Sequence, residues 1–336
     1  MKKTLTTLMA GAFTAVATVA LAGGHGDFKP AVIYDMGGKF DKSFNEGVFN
    51  GIQRFTEETG VEVMEFEVTN ETQRQQAMER MVSRGATVVL GVGFAQADAI
   101  NNVAAANPEV KFSIIDVSWL DQPNLRQYAF KEQEGSYLVG IAAAMASESG
   151  TVGFVGGMDI PLIRAFACGY KQGALSANAD VTVLENMTGT TPAAWNDPAK
   201  GAELTQGQID RGADVVYQAA GGTGLGVLQA AADAGKFSIG VDSNQNYIQP
   251  GSVLTSMLKR VDVAAYETMM DAMNDEFDTG VRNLGIAEGG VGWSLDEHNE
   301  ALISPEMKAA IDAASEAIKS GEISVHDYRA DNNCPV

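Results

Sequence analysis

Asp35, Asp116 and Asp242 each stand where a short apolar run gives out: "AVIY" before the first, "KFSII" before the second, "FSIGV" before the third. A carboxylate at the end of a buried strand accepts hydrogens from hydroxyls and amines. It can equally cap a following helix, and the residues around Asp116 and Asp242 leave both readings open. Asp35 opens a denser stretch, "DMGGKFDKSFNEG" (35–47). Gly37 and Gly38 permit a turn with positive φ. Ser43 and Glu46 have capping-box spacing, which predicts a helix from Phe44 onward. Phe44 and Asn45 then occupy its first turn. Phe44 is either core or an aromatic wall beside the Asp35 carboxylate. A second stretch, "VVYQAAGGTGLGV" (215–227), lacks the Lys-Ser/Thr of a phosphate loop and fails the G-x-G-x-x-G spacing. Its glycines, Gly222 among them, allow a neutral ligand close to the backbone. Tyr217 is either sheet core or a second ring.

The elements that must position these residues alternate along the chain. Strand-like runs such as 31–34, 86–92 and 110–116 are separated by helical patterns such as 44–58, 72–84 and 136–149. That alternation predicts an α/β fold with parallel sheets. The chain also repeats itself. "SRGATVVLGVG" (83–93) matches "DRGADVVYQAAGG" (210–222) at an offset of 127 residues, and "KFSIIDVS" (111–118) matches "KFSIGVDS" (236–243) at 125. Two similarly wound lobes are expected: residues 28–131 plus about 260–293, and residues 132–259 plus about 294–336. Ligands of open parallel sheets bind beyond the carboxyl ends of the strands. Facing lobes would therefore bring Asp116 and Asp242 to one cleft.

Composition narrows the function. A formal net charge of −20 over 336 residues repels nucleic acid and anionic lipid. His25, His298 and His326 lie away from the strand ends, and no nucleophile–base pair or metal-ligand spacing is visible. A non-enzymatic protein without metal or cofactor is expected. Residues 1–22 carry a positive start, a small apolar stretch and Ala20-Leu21-Ala22, the pattern of a cleaved signal peptide. Export would permit a Cys168–Cys334 disulfide; a buried Cys168 with a free Cys334 is the other reading.

"VIYDMGGKFDKSFNEGVFNGIQRF", "AAGGTGLGV", "IGVDSNQ" and "VLTSMLKRVD" resemble the basic membrane protein family of substrate-binding proteins, the branch with purine nucleoside receptors of ABC transporters. The resemblance runs over roughly residues 29–325. It implies a type I periplasmic binding protein, two doubly wound α/β lobes with a hinge and a central cleft. It also implies a small-molecule ligand held between aromatic rings and acidic groups. The ligand set carried over is Asp35, Phe44, Asn45, Asp116, Tyr217, Gly222, Asp242 and Lys259. Asp242 would take the ribose, and Lys259 would donate and offset charge. A purine nucleoside (adenosine, guanosine or inosine) is the implied ligand. Another flat heterocycle or sugar (nucleobase, flavin or pentose) and a periplasmic sensor role are the alternatives. The partners would be ABC permease subunits, and the protein a monomer in the periplasm. Many members are lipoproteins; with cysteine only at 168 and 334, this sequence is expected not to be lipid-anchored.

Overall fold

A computed structural model describes residues 27–336. The segment read as a signal peptide lies outside the described residues. The first half runs β1 (Pro30–Tyr34), α1 (Phe44–Thr59), β2 (Met64–Glu67), α2 (Gln73–Ser83), β3 (Val88–Gly91), α3 (Ala97–Ala106), β4 (Lys111–Ile115) and β5 (Leu125–Phe130). The second half repeats the alternation: α4 (Glu132–Ala146), β6 (Thr151–Met158), α5 (Pro161–Ala177), β7 (Thr182–Gly189), α6 (Pro198–Ile209), β8 (Val215–Ala219), α7 (Gly224–Asp233), β9 (Phe237–Asp242) and β10 (Val253–Lys259). The chain then returns through α8 (Val261–Met273), β11 (Gly280–Leu284), β12 (Val291–Trp293) and α9 (Pro305–Lys319).

Two six-stranded sheets result, in the orders β11-β5-β4-β3-β1-β2 and β12-β10-β9-β8-β6-β7. The two orders are the same once the second set is renumbered, as the internal repeat requires. Every pairing is parallel except that of β12 with β10. Strands covered on both faces read as unbroken apolar runs, and all five residues of β1 and of β8 are buried. Strand order reverses between β1 and β3 in one sheet and between β6 and β8 in the other. Such reversals open a crevice at the strands' carboxyl ends.

The chain passes between lobes three times, after β5, after β10 and between β11 and β12. α8 packs on α1 of the first lobe, where a Cβ at Gly51 would lie 2.1 Å from the Asp262 carbonyl oxygen. The return into the second sheet is complete at Val291, so β12 belongs to the second lobe. The sequence division, which gave 260–293 wholly to the first lobe, is corrected there: three residues carry too little pattern to show which sheet edge they join. Cys168 on α5 is bonded to Cys334, with Cα atoms 5.6 Å apart. The tail before Cys334 lies along α5, where the Gln172 amide exchanges hydrogen bonds of 3.0 and 2.9 Å with the His326 backbone.

Candidate ligand cleft

The first-lobe wall is built by the turn after β1. The Asp35 amide donates to Asn45 Oδ1 (3.0 Å), and its carboxylate faces the Arg74 guanidinium from α2 at 3.4 Å. A Cβ at Gly93 (φ +94°) would lie 2.8 Å from Asp35 Oδ2, so the turn after β3 can pass this closely only without a side chain. The helix start departs from the sequence expectation. Asp41, not Ser43, caps α1: its carboxylate accepts from the amides of Ser43 (2.8 Å), Asn45 (3.0 Å) and Glu46 (3.1 Å) and from Asn45 Nδ2 (3.1 Å). Glu46 turns back to Lys42 instead. Two carboxylate oxygens thus satisfy three backbone donors at the helix start. The Ser43 hydroxyl is thereby free to reach Asp242 of the other lobe at 2.6 Å.

Asp116 and Asp242 sit at equivalent places in the two lobes and share a left-handed backbone, φ 68° and 63°. No helix follows either one, so the capping reading falls and both line the cleft. The second-lobe wall adds Leu162, Ile163 and Phe166 of α5, Trp195 at the end of a 3₁₀ turn (Pro192–Trp195), and Gly221 after β8. Lys259 ends β10. Its ammonium lies 2.6 Å from Asp116, 3.0 Å from Glu132 and 5.2 and 5.6 Å from the Phe44 and Phe166 ring centres.

Six of the eight residues expected from sequence therefore meet in this cleft: Asp35, Phe44, Asn45, Asp116, Asp242 and Lys259. Two do not. Tyr217 is fully buried, its ring 5.4 and 5.1 Å from those of Phe154 and Tyr170, with its hydroxyl 3.2 Å from Ser136 Oγ. It lies two residues short of the strand end, roughly 6–7 Å too deep to reach the cleft. Gly222 sits behind the lining, where a Cβ would lie 3.2 Å from the Trp195 carbonyl oxygen; Gly221 takes the lining position. The repeat contained that signal, since Gly221 stands 127 residues after Phe94, which lines the cleft from the first lobe. Arg74, Glu132, Phe166 and Trp195 were also missed. Each arrives from a helix or turn that only packing brings near the strand ends.

Burial governs the electrostatics. It pushes the Asp116 carboxyl from the ordinary 3.8 to about 6, against the pull of Lys259 and with help from Glu132 and Asp242. Asp242 is likewise raised by burial to about 6, with Lys259 and the Ser43 hydroxyl opposing and Asp41 and Glu132 adding. Burial also raises Asp35 and Asp41 despite their donors. Burial alone would lower the Lys259 ammonium, but Asp116, Glu132 and Asp242 outweigh it and raise it. A cleft rich in buried acceptors and lined by rings from both lobes suits a flat ligand bearing several O–H or N–H donors.

The sequence profile of Bmp, described as "ABC transporter substrate-binding protein PnrA-like", matches residues 28–328. The chain belongs to the Bmp family. Its Bmp relatives include "Basic membrane protein A2" of Borrelia garinii, 32% identical over 88% of this chain and 88% of that protein. Another is "ABC transporter nucleoside-binding protein BmpA" of Lactococcus lactis, 30% identical over 97% of this chain and 99% of the relative. Among solved structures, an ABC transporter solute-binding protein from Aeropyrum pernix superposes with a TM-score of 0.83 at 29% identity, covering 89% of this chain and 93% of that one. The fold is that of a type I periplasmic binding protein, and this Bmp chain is a substrate-binding component of an ABC transporter. Such components work outside the cytoplasmic membrane.

Proposed function

We propose that this protein binds a purine nucleoside and delivers it to ABC permease subunits, acting as a periplasmic monomer. The observation that carries the reading is the joint placement of rings and carboxylates from both lobes in one cleft. Phe44 of the first lobe and Phe166 and Trp195 of the second offer faces for a flat base. Asp242 has one oxygen committed to Ser43 and a second available to a ribose hydroxyl. Asp35 and Asp116 can accept from base N–H groups. The name of the Lactococcus lactis relative points to the same ligand class. Closure by hinge motion would bury the ligand and present both lobes to the permease.

Calorimetric titration with adenosine, guanosine, inosine, the free bases and ribose tests the reading. At least one nucleoside should bind tighter than about 100 μM, roughly −5.5 kcal/mol, and tighter than its own base or ribose. Uniform absence of nucleoside binding at that level overturns it.

A further inference from the structure

The C-terminal tail delivers a cation to Glu132, the buried carboxylate beside Lys259. Arg329 Nη1 lies 2.9 Å from Glu132, which is completely buried at the start of α4 and lies 3.0 Å from Lys259 on its other side. Lys259 in turn holds Asp116 across the lobes at 2.6 Å. Arg329 is fixed by four further contacts: two from Nε to the Asp327 carboxylate (2.9 and 3.1 Å), and from Nη2 to the Phe130 carbonyl (2.9 Å) and Gln133 Oε1 (3.3 Å). Five residues on, Cys334 bonds the tail to Cys168 of α5, the helix that brings Phe166 to the cleft. Arg329 and Cys334 both lie beyond the residues the family profile matches.

Three carboxylates, Asp116, Glu132 and Asp242, act on the Lys259 ammonium. Arg329, itself paired with Asp327, meets Glu132 from the tail side, and Tyr217 feels Glu132 from the sheet. With Arg329 in place, Glu132 is shared between two cations. Without it, Glu132 keeps its full charge for Lys259 and competes with Asp116 for the same ammonium. We infer that Arg329 is a positioning residue for the cleft: acting through Glu132, it sets where the Lys259 ammonium sits, and the Cys168–Cys334 disulfide holds the tail that supplies it.

The affinity part of the test rests on the nucleoside reading; a ligand-free part does not. The full-length mature protein is compared with Arg329→Gln, Arg329→Lys and the double variant Glu132→Gln/Arg329→Gln. In ligand-free protein, the ¹⁵Nζ resonance of Lys259 should move in Arg329→Gln and stay nearer wild type in Arg329→Lys, which keeps the charge. In calorimetry with the best-binding nucleoside, Arg329→Gln should weaken binding at least tenfold, and Arg329→Lys less. The double variant should recover part of the loss, because the carboxylate that competes for Lys259 is gone. Reduction of the disulfide should weaken wild type several-fold and leave the double variant unchanged. An unmoved resonance in Arg329→Gln overturns the inference, as does a double variant that loses as much as the single. A moved resonance in a protein that binds no nucleoside leaves the positioning role standing and removes the nucleoside.

Discussion

Asp242 shows what a single buried carboxylate does in this cleft. Its native carboxyl, raised to about 6, binds a proton more tightly than the unfolded one at 3.8. Its contribution to stability is therefore fully present below about 3.8 and is lost as the pH climbs through about 6. Asp242→Asn can still accept from Ser43 but carries no buried charge. In chemical denaturation the ligand-free variant should be more stable than wild type at pH 8, by up to roughly 3 kcal/mol, and the gain should shrink toward pH 4. The comparison isolates this group from Asp278 and Asp296, which are held below the usual carboxylate range by their partners and act in the opposite direction. The same substitution should weaken a nucleoside far more than its free base, since the ribose loses its acceptor. Equal losses for nucleoside and base would remove Asp242 from the ribose contact, and a flat stability difference with pH would remove its buried charge.

The turn between β1 and α1 is one element with three separate duties. Asp41 starts the helix, Asn45 holds the Asp35 amide, and Ser43 crosses to the other lobe. Gln245 Nε2 donates to the Lys42 carbonyl (2.9 Å) and Ser243 Oγ to the Ser43 carbonyl (2.8 Å), so the lobes are fastened around this turn by protein groups alone. A hydrogen bond to a charged group contributes roughly 1.5–3 kcal/mol. Ser43→Ala should therefore shift the open–closed balance toward open and weaken ligand binding about tenfold or more, with little change in helix content. Solution scattering of the ligand-free protein should show a larger mean radius for the variant. An unchanged radius and an unchanged affinity would mean that the Ser43–Asp242 contact is not used in closure. The sequence had this turn as a capping box because Ser-x-x-Glu spacing is a local signal. It could not show that Asp41 already satisfies the same amides.

Across the whole molecule, the described chain is two copies of one winding plan joined by three crossings, with one disulfide tying the tail to α5 within the second lobe. Cys168 and Cys334 are 166 residues apart in sequence, so their bond restricts the unfolded chain over a long loop. Replacing both by Ala should lower unfolding stability by about 2–5 kcal/mol. Matching stabilities for the oxidised wild type and the variant would show that the tail is held by its hydrogen bonds alone. The α/β class, the repeat and the strand ends were legible in the sequence because apolar periodicity and local glycine patterns are properties of neighbouring residues. β11 and β12 escaped that reading: β11 is exposed or half-buried throughout at a sheet edge, and β12 has three residues.

The family resemblance brought Phe44, Asn45 and Lys259 into the ligand set; the sequence by itself determined the doubled α/β plan and the carboxylates at equivalent strand ends. It did so because a strand end is a local address, and the repeat supplied that address twice. Tertiary structure alone decided that Tyr217 is core while Phe166 and Trp195 supply the second-lobe rings, since two residues along a strand or one turn of a helix separates cleft from interior. It also decided that Arg74 meets Asp35 and that Arg329 meets Glu132. Those pairs span 39 and 197 residues, and no spacing rule joins charges that meet only when helices and a tail pack over the strand ends.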